Sequence, residues 1–123
     1  MEIEMSALPK TWILDLDGTL VEHNGYQIYG EDVWLKGAKQ FLLSLPKDDM
    51  IMIVTSRTKE YAPMTEQFLS DNGIRWDHII YGAPYGERIL VNDAKPSGLC
   101  MSYAVNKERD SEFTLKIKKN EEW

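Results

Sequence analysis

The uncharged run Trp12-Ile13-Leu14 breaks directly into Asp15-Leu16-Asp17-Gly18-Thr19, and this break constrains the fold more than any other feature of the chain. Unbroken apolar residues read as a strand buried on both faces. Two aspartates one residue apart then lie where the backbone leaves the sheet. In an open parallel sheet, ligands bind at that edge. Gly18 lets the chain turn sharply there. Carboxylates this close repel one another unless a cation or a shared proton intervenes. A hard divalent cation such as Mg²⁺ meets that need, because it takes oxygen ligands and keeps waters for a phosphate. Asp-Gly is also an ordinary turn signal, so in isolation the motif fits a turn equally well.

Two further apolar runs end in polar groups suited to phosphate and metal. Met50-Ile51-Met52-Ile53-Val54 ends in Thr55-Ser56-Arg57, and Ile89-Leu90-Val91 ends in Asn92-Asp93. Parallel strands would bring all three ends to one sheet edge.

On these residues the chain resembles the haloacid dehalogenase (HAD) superfamily, mostly aspartate-based phosphohydrolases. Asp15-Leu16-Asp17-Gly18-Thr19 matches the family's first motif in full. Ile53-Val54-Thr55-Ser56-Arg57 matches the second, a strand ending in Thr or Ser, and Leu90-Val91-Asn92-Asp93 the fourth, a strand ending in an acidic residue. Arg88 and Lys95 compete for the third, a Lys or Arg. The resemblance spans about residues 10–106. It implies an α/β, Rossmann-like HAD fold, a mostly parallel sheet flanked by helices, with no cap domain.

The resemblance also implies roles. Asp15 would attack phosphorus and form an aspartyl-phosphate. Asp17 would protonate the leaving alcohol, then take a proton from the hydrolytic water. Mg²⁺ would be held by Asp15, the Asp17 carbonyl and Asp93, with Asn92 contributing through a bound water. Thr55 would hydrogen-bond a phosphoryl oxygen, with Ser56, Arg57, Gly18 and Thr19 around the substrate. Thr19 would orient Asp17 or the flap. Arg88 or Lys95 would balance the charge of the transferring group. Each has a plainer reading: Thr55-Ser56 as a helix cap, Arg57 as a surface or dimer contact, Arg88 as a partner of Glu87 or Asp93.

Residues 86–96 further resemble small family members of capsule and surface-polysaccharide clusters, which leans the substrate toward a phosphorylated sugar and the role toward polysaccharide biosynthesis. The alternatives are a nucleotide or polynucleotide-end phosphatase and a non-catalytic sugar-phosphate binder. The binder would need a broken nucleophile or acid. A phospho-acceptor signalling domain would need its acceptor Asp where Tyr81-Gly82 stands.

At 123 residues the chain holds one domain, residues 1–123, with a core at about 10–106 and a C-terminal strand or tail at 107–123. A net charge of -6 argues against nucleic acid as an obligatory partner, because phosphate backbones demand basic surface. A small basic pocket can still exist on an acidic protein. The single Cys100 cannot form an internal disulfide, which fits a reducing cytoplasm. Met1-Glu2-Ile3-Glu4 lacks the basic start of a signal peptide, and no apolar run approaches the ~20 residues that span a bilayer.

Residues 1–10 read as a loose arm and 11–16 as the first strand. The polar stretch 20–33 reads as a turn plus hairpin or loop over the site, too short for a cap. The site is then open to larger substrates or closed by a neighbouring subunit. A helix is expected over 37–45, with Ala38, Phe41, Leu42 and Leu45 on one face and Pro46 as its stop. A strand at 50–54 and a helix at 60–72, ended by Asn72-Gly73, follow. Further strands are expected at 76–81, 88–92, 99–105 and, half-exposed, at 112–119. One junction resists: a parallel crossover needs a dozen or more residues, and only a Gly-Pro-Gly loop separates Tyr81 from Arg88. The stripe Phe113, Leu115, Ile117 reads either as a homo-oligomer contact or as a strand folded back on its own sheet.

Overall fold

The computed structural model describes residues 1–121. Its elements in chain order are β1 (Glu2–Ser6), β2 (Thr11–Leu14), α1 (Gly25–Ile28), α2 (Ala38–Ser44), β3 (Met50–Val54), a 3₁₀ turn (Lys59–Tyr61), α3 (Ala62–Asp71), β4 (His78–Ile80) and β5 (Lys116–Asn120). The apolar run of β3 buries Ile51 and Ile53 and makes it the central strand of a parallel sheet, β2-β3-β4. Parallel neighbours need a crossover. Here α2 lies in the connection from β2 to β3, and α3 in that from β3 to β4. The register pairs Leu14 with Ile53 and Val54 with Ile80. Asp15 and Thr55 therefore emerge together at the C-terminal edge.

Side chains at the other end hold that register. The buried carboxylate of Asp49 accepts from Trp12 Nε1 at 2.9 Å and from the Lys10 amide at 3.0 Å. Asp77 accepts from the Ile51 amide at 2.7 Å. Leu14, Leu16, Leu20, Leu42, Ile53 and Leu69 form one hydrophobic core beneath the edge. Trp12, Phe41 and Phe113 extend it, with ring centroids 5.3 and 4.5 Å apart along the series. A groove of about 670 Å³ lies between α2 and the β5 segment, lined by Trp12, Phe41, Asp49 and Lys116. It sits at the strand starts, the far end from Asp15.

The arm expected at residues 1–10 is instead a strand. β1 pairs in parallel with β5, Ile3 opposite Ile117, as a second, two-stranded sheet. Of the two readings of the Phe113–Ile117 stripe, the structure shows contacts within the chain: Phe113 on Phe41 and Ile117 on β1. The strands expected at 88–92 and 99–105 do not form. Ile89 and Val91 are 85% and 89% exposed. The cause is connectivity: the short loop after β4 carries no crossover that would return the chain parallel to the sheet. No helix among the described residues is long and apolar enough to cross a membrane.

Gly37, which starts α2, has φ +88°, and a Cβ there would collide with the Phe113 carbonyl. Gly37→Ala is therefore expected to cost about 2 kcal/mol, from left-handed strain plus the clash. Urea unfolding checks this. An unchanged midpoint would show that residues 112–114 are not held against α2.

Candidate active site

The loop after β2 is folded by its own backbone. The Leu16 carbonyl accepts from the amides of Thr19, Leu20 and Val21, and Gly18 N donates to the Val21 carbonyl at 2.7 Å. Leu16, Gly18 and Leu20 are buried, so Asp15, Asp17 and Thr19 alternate onto the half-open side. Gly18 adopts φ +81°, which only glycine takes without strain.

Asp15 is held from two sides. Thr19 Oγ1 donates to its Oδ2 at 2.9 Å, and Arg88 Nη1 donates to its Oδ1 at 2.8 Å. The side chains of Asp15 and Arg88 are 37% and 39% exposed, so this pair faces solvent. Thr19, expected to orient Asp17 or the flap, instead orients Asp15.

Asp17 is held from beneath by Arg57. Arg57 Nε and Nη2 donate to its two oxygens at 3.0 and 2.8 Å. The other edge of the same guanidinium donates from Nη1 and Nη2 to the two oxygens of Asp32 at 3.0 and 2.7 Å. Nη1 also donates to Thr65 Oγ1 at 2.9 Å. These five bonds use all the donors a guanidinium has. The Tyr26 ring stacks 3.9 Å from the guanidinium carbon. Burial opposes the charge on Arg57, but its hydrogen bonds to Asp17 and Asp32 outweigh it and hold the group above its ordinary pKa. Burial raises the Tyr26 phenol above its usual value, with the nearby Asp17 charge adding to it.

Arg57 was expected to touch substrate or the protein surface. It does neither: its side chain is 1% exposed and every donor is committed. Thr55 is likewise buried. Its hydroxyl accepts from the Arg57 amide at 3.1 Å, closing the turn that aims Arg57 at Asp17. Ser56 stands half-buried beside it. Lys95 and Asp93 lie in the exposed segment after β4, where Asp93 meets the Asn92 amide. Of the two third-motif candidates, Arg88 is the one at Asp15.

The structure does not bring together the side chains expected around Mg²⁺: Asp15 bonds to Thr19 and Arg88, and Asp93 lies in the exposed segment after β4. Among the described residues no three His, Cys, Asp or Glu side chains form a group suited to a metal ion. Asp93 stays apart because the strand that would carry it to the edge does not form.

Sequence reasoning missed Asp32 and Thr65. Asp32 sits in a polar loop that reads as solvated, and its partner is 25 residues away. No local pattern marks such a pair.

No protein-family model matches the chain, and no curated protein matches it. Among solved structures it is similar to a chain in the structure of the Pnkp1/Rnl/Hen1 complex, at 26% identity and a TM-score of 0.51. The match covers 68% of this chain and 31% of that one, so this chain spans less than a third of its neighbour.

Proposed function

We propose that this chain is a HAD-type phosphomonoester hydrolase acting on a nucleotide or polynucleotide end. The observation that carries the reading is Asp15 itself: a half-open carboxylate at the C-terminal edge of a parallel sheet, with an arginine 2.8 Å from one oxygen. Thr19 occupies Oδ2, which leaves Oδ1 as the attacking atom. An incoming phosphate draws Arg88 from Oδ1 onto its own oxygens, freeing the nucleophile and neutralising the transferring group. The ester arrives as its monoanion; Oδ1 bonds to phosphorus as the ester P–O bond breaks, and Asp17 relays the monoanion's proton to the leaving oxygen. Water cleaves the aspartyl-phosphate, Asp17 takes its proton, and inorganic phosphate leaves. Each Asp17 oxygen keeps a second lone pair for this, because Arg57 uses one of each.

The similarity to a chain of the Pnkp1/Rnl/Hen1 complex supports the nucleotide-end substrate over the phosphorylated sugar. Residues 86–96, on which the sugar expectation rested, are exposed throughout. The net negative charge does not decide against a polynucleotide end, since Arg88 places a cation at Asp15 itself.

The test is a panel of sugar phosphates, nucleotides and oligonucleotides with 3′ or 5′ phosphate, with Mg²⁺ and with chelator. Hydrolysis of the nucleotide substrates is expected. Turnover of sugar phosphates alone would overturn the substrate, and a folded protein inactive on the whole panel would overturn the hydrolase. A requirement for Mg²⁺ belongs to the proposal only through the resemblance, and it would need Asp93 brought beside Asp15 and Asp17. Mg²⁺ is then expected to slow amide exchange across residues 88–93. Full turnover in chelator with unchanged exchange would remove the cation.

A further inference from the structure

The segment before β5 is stitched onto the loop that carries the carboxylates. The Asp110 amide donates to the Gly18 carbonyl at 2.9 Å, and the His23 amide donates back to Asp110 Oδ1 at 2.8 Å. Asp110 takes φ 61°, a left-handed conformation that these two bonds hold in place. The Phe113 amide donates to the Lys36 carbonyl at 2.8 Å, fixing the far side. Just before the Asp110 anchor, the Arg109 side chain packs across Gly18. A Cβ at Gly18 would stand 3.1 Å from Arg109 Cγ and 3.8 Å from Nε. Glycine at this position therefore serves the approach of Arg109 as well as the turn.

Arg109 is exposed, and among the described residues its guanidinium has no hydrogen bond or ion pair. Of the acids around it, Asp17 is engaged with Arg57 and Asp110 with the His23 amide, and no ion pair joins Arg109 to the adjacent Glu108. A long cationic side chain held over a site loop, with no partner, is available to an anion arriving from outside. Arg88 already serves the reacting group at Asp15. Arg109, packed over Gly18 next to Asp17, is placed for a second anionic group on the same substrate.

Resting on the phosphatase reading, we propose that Arg109 determines specificity by binding a second phosphate of the substrate, the phosphodiester that adjoins the terminal phosphate of an oligonucleotide. The site then prefers polynucleotide ends to mononucleotides, because only the former carry that group.

The experiment compares a dinucleotide bearing a terminal phosphate with the matching mononucleotide, at the 3′ or the 5′ terminus, in the wild type, Arg109→Ala and Arg109→Lys. The ratio of kcat/KM for dinucleotide over mononucleotide is expected to fall roughly tenfold in Arg109→Ala, through KM, the worth of one charge-assisted hydrogen bond. Arg109→Lys should restore part of it, since the charge remains. An unchanged ratio, or an equal loss on both substrates, overturns the inference. Calorimetric binding of the same two compounds to Asp15→Asn separates it from the underlying reading. If the wild type hydrolyses neither compound but dinucleotide binding still depends on Arg109, the contact stands and the phosphatase falls. Equal affinities for the two compounds in that background overturn the contact.

Discussion

Asp15→Asn is expected to lower turnover by roughly 10⁴-fold or more, with the fold intact. An amide neither attacks phosphorus nor leaves from it as a carboxylate does. The structure explains why the protein should tolerate the change. The Asn oxygen can still accept from Thr19 or Arg88, so the loop keeps much of its support. The Arg88–Asp15 pair is 39% and 37% exposed, and pairs in solvent contribute less than about 1 kcal/mol. Activity and stability should therefore separate cleanly. Turnover on the phosphatase panel and urea unfolding of the same preparation measure the two. Wild-type turnover in Asp15→Asn would exclude the covalent route. A large loss of stability would mean that the acid at this position is structural.

What the chain reveals locally and what it conceals follow a physical division. The paired carboxylates and their place after a sheet strand were legible, because an apolar run, two acids and a glycine lie within a few residues of each other. The helices at 38–44 and 62–71 followed from apolar spacing and their stop signals. The strands expected at 88–92 and 99–105 rested on apolar content, which describes how residues fit a pleated surface once one is present. Without a crossover, the segment has no edge to reach. β1 was misread for the converse reason. Its sequence, Glu2-Ile3-Glu4-Met5-Ser6, is too polar to read as buried, yet it pairs with β5 from the opposite end of the chain. The largest gap was at Arg57, where the partners that decide its role, Asp17, Asp32 and Thr65, come from three separate segments.

That gap gives the second large effect. Arg57→Ala is expected to destabilise the fold by about 3–5 kcal/mol, because removing one member of a buried ion pair leaves its partner charged and dry. Asp32 is 1% exposed at its side chain, and Arg57 donates to both its oxygens. Asp17 loses its bidentate partner in the same step. Two carboxylates once separated by a guanidinium would then face each other across an empty cavity. A loss of this size is a large fraction of the roughly 5–15 kcal/mol that holds a domain together. Arg57→Lys should cost less, since it keeps the charge, but an ammonium cannot reproduce the two planar forks. The double variant Arg57→Met with Asp32→Leu separates the causes. If the penalty is an uncompensated buried charge, removing both charges recovers most of the stability that Arg57→Ala loses. If the penalty is lost packing under Tyr26, the double variant stays as unstable as the single one. Activity adds an independent reading. The double variant still lacks the fork that holds Asp17, so its proton transfers should remain slow even where its stability returns. A double variant both stable and fully active would show that Asp17 needs no such anchor.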